Sequence, residues 1–110
     1  MHEPPPLTPA VFHVLWALAE GELHGYGIMQ HVRQAGAGRV KMGPGTLYGT
    51  LQRLESQGLI EESAERPDPD SDDDRRRYYA LTKVGRAALD AEAERLSQIV
   101  ERLHDAEVLP

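Results

Sequence analysis

Apolar residues recur at helical spacing in three successive stretches of this chain, then in two short extended runs, then at helical spacing over a long final stretch. Thr8-Pro9 reads as a helix start, a residue able to cap followed by proline at the first helical position. Val11, Val14, Leu15 and Leu18 follow on one stripe, with Phe12, Trp16 and Ala19 on a second. A helix apolar around most of its girth belongs at the centre of a core. Gly21 ends it.

His24 to Ala35 forms the second helix, with Ile28, Met29 and Val32 as its buried edge and Gly36 and Gly38 at its close. Gly43-Pro44-Gly45 opens the third, on which Leu47, Leu51 and Leu54 repeat at four and three residues before Gly58 stops it. An extended run begins at Leu59-Ile60 and reaches about Glu65; another spans Arg75 to Leu81. Between them, Arg66 to Asp74 holds two prolines, five aspartates and a serine, the composition of a polar loop. The pair reads as a β-hairpin with an open tip. Tyr78 and Tyr79 alternate along its second strand, so one is expected buried and one exposed.

Thr82 caps the final helix, Lys83 to about Asp105. Leu89, Ala93, Leu96, Val100 and Leu103 step by four, three, four and three, the narrow seam of a coiled coil. A small domain cannot cover so long a seam, so these five residues are expected to form a homodimerisation surface. The whole is mainly α with a small β-hairpin: a flexible arm over residues 1–7, a winged helix-turn-helix over 8–81 and a C-terminal dimerisation helix over 82–110.

Composition narrows the function. The 110 residues carry no cysteine, which excludes disulfides, thiolate chemistry and Cys-based zinc sites. No apolar run is long enough to span a membrane, and the first residues lack the basic start of a secretion signal, so the expected compartment is the cytoplasm. The net charge is −6, which on its face disfavours nucleic acid; but Asp68, Asp70, Asp72, Asp73 and Asp74 account for five of the acids, and without them the balance is −1. No catalytic triad, nucleophile elbow or phosphate loop is present, so neither an enzyme nor a cofactor is expected. His24 suits a helix start better than a metal, His13 and His31 stand at no ligand spacing, and the aspartates lack the glycine pivot and closing glutamate of a calcium loop.

The third helix carries the candidate chemistry. With its leucines turned inward, the opposite face presents Gly45, Gly49, Gln52, Arg53 and Ser56, with Thr46 and Tyr48 on the flanks and no acid before Glu55. Gln52 and Arg53 can hydrogen-bond base edges in a major groove, and the Thr46 and Tyr48 hydroxyls can bond phosphates. An outward interior glycine such as Gly49 costs roughly 1 kcal/mol against alanine, which close approach to DNA would explain. Arg39 and Lys41 precede this helix and Arg75, Arg76 and Arg77 follow it, cations suited to two phosphate strands.

His24-Gly25-Tyr26-Gly27-Ile28, Gly45-Thr46-Leu47-Tyr48, Leu51-Gln52-Arg53-Leu54-Glu55, Gly58-Leu59-Ile60 and Arg76-Arg77-Tyr78-Tyr79-Ala80-Leu81-Thr82 with Gly85 stand in unbroken order. Together they closely resemble PadR-type transcriptional regulators, and the single C-terminal helix resembles that family's small subfamily. The resemblance implies a dimeric winged-helix binder of double-stranded DNA, usually a repressor. Thr46 and Tyr48 would then contact DNA, and Arg75 to Arg77 would supply the basic wing. It also implies a candidate pocket for a small aromatic effector, lined by Phe12 and Trp16 near the dimer interface, although large aromatics on an apolar helix are more often core. Gly43 stands where such helices often have serine, and the acidic tip is expected to bend away from phosphates. The alternative is a winged-helix adaptor for proteins that no longer binds DNA.

Overall fold

The Thr8 hydroxyl accepts a hydrogen bond from the Val11 amide at 3.2 Å, and Pro9 begins helix α1, Pro9–Ala19. The computed structural model describes residues 6–63 and 77–110. The expected arm residues 1–5, the acidic loop 66–74 and the strand start at Arg75 and Arg76 lie outside the described residues. After α1 come strand β1 (Leu23–His24), α2 (Gly25–Ala35), α3 (Pro44–Ser56), β2 (Ile60–Glu62), β3 (Tyr78–Leu81) and α4 (Lys83–Asp105).

α1 is central, as its girth of apolar residues requires. It packs against α2, α4 and β3. Its Val14, Leu15, Ala17 and Leu18 join Ile28 and Val32 of α2, Leu47, Leu51 and Leu54 of α3, Ile60, Tyr79 and Leu89 in one buried cluster. Burial of each aliphatic side chain there contributes about 1.5–3 kcal/mol.

The sheet is larger than the expected hairpin. β3 is its middle strand, paired antiparallel with β2 through Ile60↔Leu81 and with β1 through His24↔Tyr78. This third strand corrects the expectation for the tyrosines, since both Tyr78 and Tyr79 are buried. Tyr79 faces the core. Tyr78 lies on the other side, where the His24 ring from β1 packs edge-on against it at 5.3 Å.

Helix ends set the turns. Gly58, at φ +76°, closes α3: its amide bonds the Glu55 carbonyl and the Leu59 amide bonds the Leu54 carbonyl, both at 3.0 Å. That paired pattern needs a left-handed residue, which glycine adopts without steric cost. The same pattern closes α2, but there the left-handed residue is Ala37, at φ 52°, followed by Gly38. Thr82 ties the far end together. Its hydroxyl caps the Gly85 amide at 3.0 Å and donates to the Gly58 carbonyl at 2.5 Å. Gly85 sits so close beneath Leu59 that a Cβ there would lie 2.8 Å from the Leu59 carbonyl carbon. The end of α3 and the start of α4 are thereby locked to each other.

Candidate nucleic-acid interface

The amphipathic pattern of α3 is realised in space. Leu47, Thr50, Leu51 and Leu54 are buried, while Gly45, Thr46, Tyr48, Gly49, Gln52, Arg53 and Ser56 are exposed. Pro44 sets the first turn, and Gly43 caps it without a side-chain hydrogen bond. Nothing lies within 4 Å of a Cβ built on Gly45 or Gly49, so the molecule's own packing does not require glycine at either place. Arg53 reaches back toward the buried Thr50 hydroxyl at 3.4 Å, a long contact that leaves its guanidinium available at the surface.

α2 braces this face from behind. His24 caps it, its Nδ1 accepting from the Gly27 amide at 3.1 Å. The next residue, Gly25, is buried under the Tyr48 ring: a Cβ on Gly25 would lie 2.8 Å from the Tyr48 hydroxyl oxygen. Tyr48 is nevertheless 53% exposed, so the side chain that rests on Gly25 is also open to the surface.

Charge is unevenly distributed around α3. Arg33, Arg39 and Lys41 stand exposed at the end of α2 and in the following turn. On the other side β2 exposes Glu61 and Glu62. Arg77, exposed at the start of β3, lies beside the Tyr79 phenol. Burial pushes that phenol up, the charges of Glu55 and Glu62 add to the effect, and Arg77 pulls it down. Arg75 and Arg76 of the same cluster lie outside the described residues.

Phe12 and Trp16 do come together on α1, with ring centroids 6.2 Å apart, but their surroundings include two histidines the sequence did not connect to them. His13 stacks on Trp16 at 5.4 Å, and His31 of α2 meets the same indole edge-on at 5.4 Å while pairing with Glu20. Burial, reinforced by the neighbouring His31, holds the His13 imidazole below its ordinary value.

The five seam residues of α4 separate into three groups. Leu89 is buried in the chain's own core, Leu96 and Leu103 are half-buried, and Ala93 and Val100 are exposed. Ile99, which the heptad spacing passed over, is exposed beside Val100. The other residue missed is Glu92, buried one turn after Leu89. Its carboxylate accepts two hydrogen bonds from Arg95 at 2.7 and 2.8 Å and one from the Leu7 amide at 3.2 Å. The Arg95 hydrogen bonds hold it below the usual glutamate range. Among the described residues no group of acids and histidines could hold a metal ion, and no helix is long and apolar enough to cross a membrane.

Residues 14–91 match the model of the Transcriptional regulator PadR-like family. The chain belongs to the PadR-like family. A transcriptional regulator of Mycobacterium tuberculosis is 34% identical over 91 residues, covering 83% of this chain and 78% of its own length. An uncharacterized protein in a Streptomyces fradiae transposon is 38% identical over 95 residues, or 86% of this chain. The match spans only 25% of that relative's length. Among solved structures, a PadR family transcription regulator from Clostridium difficile superposes with a TM-score of 0.72 at 26% identity, over 89% of this chain and 97% of its own. PadR of Bacillus subtilis, solved in complex with operator DNA, shares the fold with a TM-score of 0.64 at 22% identity, over 78% of this chain and 46% of its own. The chain is thus a PadR-like transcriptional regulator with a winged helix-turn-helix fold, not an enzyme.

Proposed function

We propose that this PadR-like protein is a sequence-specific binder of double-stranded DNA that acts as a homodimeric repressor on a palindromic operator. The observation that carries the reading is the α3 face: an exposed strip of Gly45, Thr46, Tyr48, Gly49, Gln52 and Arg53 with no carboxylate before Glu55. Such a rod can enter a major groove without repelling phosphates. Gln52 and Arg53 read base edges, and Thr46 and Tyr48 bond the backbone. Lys41 before the helix and Arg77 after it in the chain are exposed cations, and Arg75 and Arg76 extend the basic run in sequence. The Bacillus subtilis relative's complex with operator DNA supports the same mode of action.

Dimerisation would use the exposed part of α4, with Val100 and Ile99 at its centre and Ala93, Leu96 and Leu103 around them; Leu89 supports the helix from within its own domain. Twofold symmetry then places the two α3 helices about 34–36 Å apart, one turn of DNA. A small aromatic effector near Phe12 and Trp16 would act by changing that separation.

An electrophoretic mobility shift with the DNA upstream of the protein's own gene tests the reading. A discrete complex that survives excess unrelated duplex is the expected result. Absence of any complex at low salt would favour the protein-binding adaptor instead.

A further inference from the structure

The turn between α2 and α3 holds a cleft of about 420 Å³ lined by Met29, Arg33, Gly38, Lys41, Met42 and Gly43. Its chemistry is divided. Arg33 and Lys41 are exposed cations, and neither has an ion-pair or hydrogen-bond partner among the described residues. Met29 and Met42 are partly buried against the core and give the cleft an apolar wall. Gly38 and Gly43 keep the mouth free of side chains.

A free inorganic anion would use only the cations. A stretch of nucleic-acid backbone has both characters, an anionic phosphate joined to a sugar with an apolar face, and it fits both halves of the cleft. The cleft also ends at Gly43, the cap of α3, so an occupant is held at the entrance of the helix that would lie in the groove. The stretch from Arg33 to Gly43 exposes three cations, Arg33, Arg39 and Lys41, and contains no carboxylate, which suits it to a phosphate strand.

We infer that this cleft is a backbone anchor, in which Arg33 and Lys41 grip one DNA phosphate while Met29 and Met42 pack on the adjoining deoxyribose. The inference rests on the DNA-binding reading and adds Arg33 and the methionine wall to it. The anchor recognises no base. It fixes the register of α3 and supplies affinity that does not depend on the wing.

The test is the salt dependence of binding, measured by fluorescence anisotropy on the selected operator and on an unrelated duplex. Arg33→Ala and Lys41→Ala should each weaken both complexes, and the double variant should lessen the slope of log affinity against log salt by about 0.9 for each protomer bound. Arg102→Ala, in the last turn of α4, serves as a charge-matched control and should leave the slope unchanged. Met42→Ala should weaken binding with the slope intact. In parallel, inorganic phosphate is titrated while the amide signals of Met42 and Gly43 are followed by NMR; only weak, non-saturating shifts are expected. A wild-type slope retained by the double variant would overturn the anchor while leaving the DNA reading standing. Retained slopes together with saturable phosphate binding would assign the cleft to a free anion instead. A wild-type protein that binds neither duplex would overturn both readings.

Discussion

The ring of Tyr48 lies directly over Gly25: a methyl group on that glycine would come within 3.1 Å of two ring carbons and 2.8 Å of the hydroxyl oxygen. One residue opens α2 and the other sits on α3, so this contact sets how Tyr48 is presented at the surface. The ring is the far end of a flexible side chain, and it can swing aside when crowded. Gly25→Ala should therefore keep the fold and cost function. A thermal midpoint near the wild-type value is expected, with DNA binding about tenfold weaker, the equivalent of one hydrogen bond to a charged group at about 1.5 kcal/mol. Unchanged affinity would show that the position of Tyr48 does not matter for binding.

Gly49 offers the opposite trade. No atom lies within 4 Å of a Cβ at this position, and alanine is favoured over glycine in a helix by about 0.8–1.0 kcal/mol. Gly49→Ala should raise the thermal midpoint by several degrees. On a face that meets DNA, the same methyl group stands where the groove floor comes close, so affinity should fall. A variant both more stable and equally tight would mean that Gly49 does not approach the duplex.

Glu92 makes folding sensitive to acid in a defined direction. Its carboxylate is held below the ordinary value of 4.5, first by the Arg95 hydrogen bonds and also by the Leu7 amide. A group depressed in the folded state stabilises above its unfolded value and loses that contribution as pH falls through the folded one. Urea denaturation from neutral pH downward should show stability declining from about pH 4.5. Glu92→Gln should be less stable at neutral pH and decline less steeply over that acid range. Parallel curves for the two proteins would remove Glu92 from the account.

Val100 and Ile99 are 44% and 38% exposed on α4, so a charge there does not disturb the domain's own core. Val100→Asp should sediment at the chain mass of 12.2 kDa, while the wild type sediments at twice that. Leu89→Ala, by contrast, should lower stability by about 2–5 kcal/mol, because Leu89 is buried inside its own domain. A Val100→Asp protein that remains dimeric would place the interface elsewhere.

Much of this architecture is legible in the residues, because strong local signals agree with the global arrangement. Thr8-Pro9, Gly43-Pro44 and Thr82 each start a helix where expected, and Leu47, Leu51 and Leu54 turn the face of α3 outward as their spacing requires. β1 was not legible. Two residues, Leu23 and His24, carry no periodicity, and they form a strand only because β3 offers an open edge. The burial of Tyr78 went unseen with it, since the covering ring comes from that same strand. Glu92 reads as a solvated charge until Arg95 and the Leu7 amide are seen to satisfy it. Leu89 fits a heptad and a core equally well, and only the packing of α4 on α1 and β3 decides its place. Arg33 has no sequence signal separating it from an ordinary exposed cation; its relation to Lys41 exists only across the folded turn.

The central claim is that α3 reads base sequence, and selection of bound duplexes from a randomised pool tests it most directly. The wild-type protein should enrich a twofold-symmetric sequence. Arg53→Ala should relax the preference at a fixed position in each half-site, by about 1–3 kcal/mol of discrimination, while the flanking positions keep theirs. A pool that shows no enrichment, or one that Arg53→Ala and Gln52→Ala enrich identically to the wild type, would contradict the assignment of α3 as the reading helix.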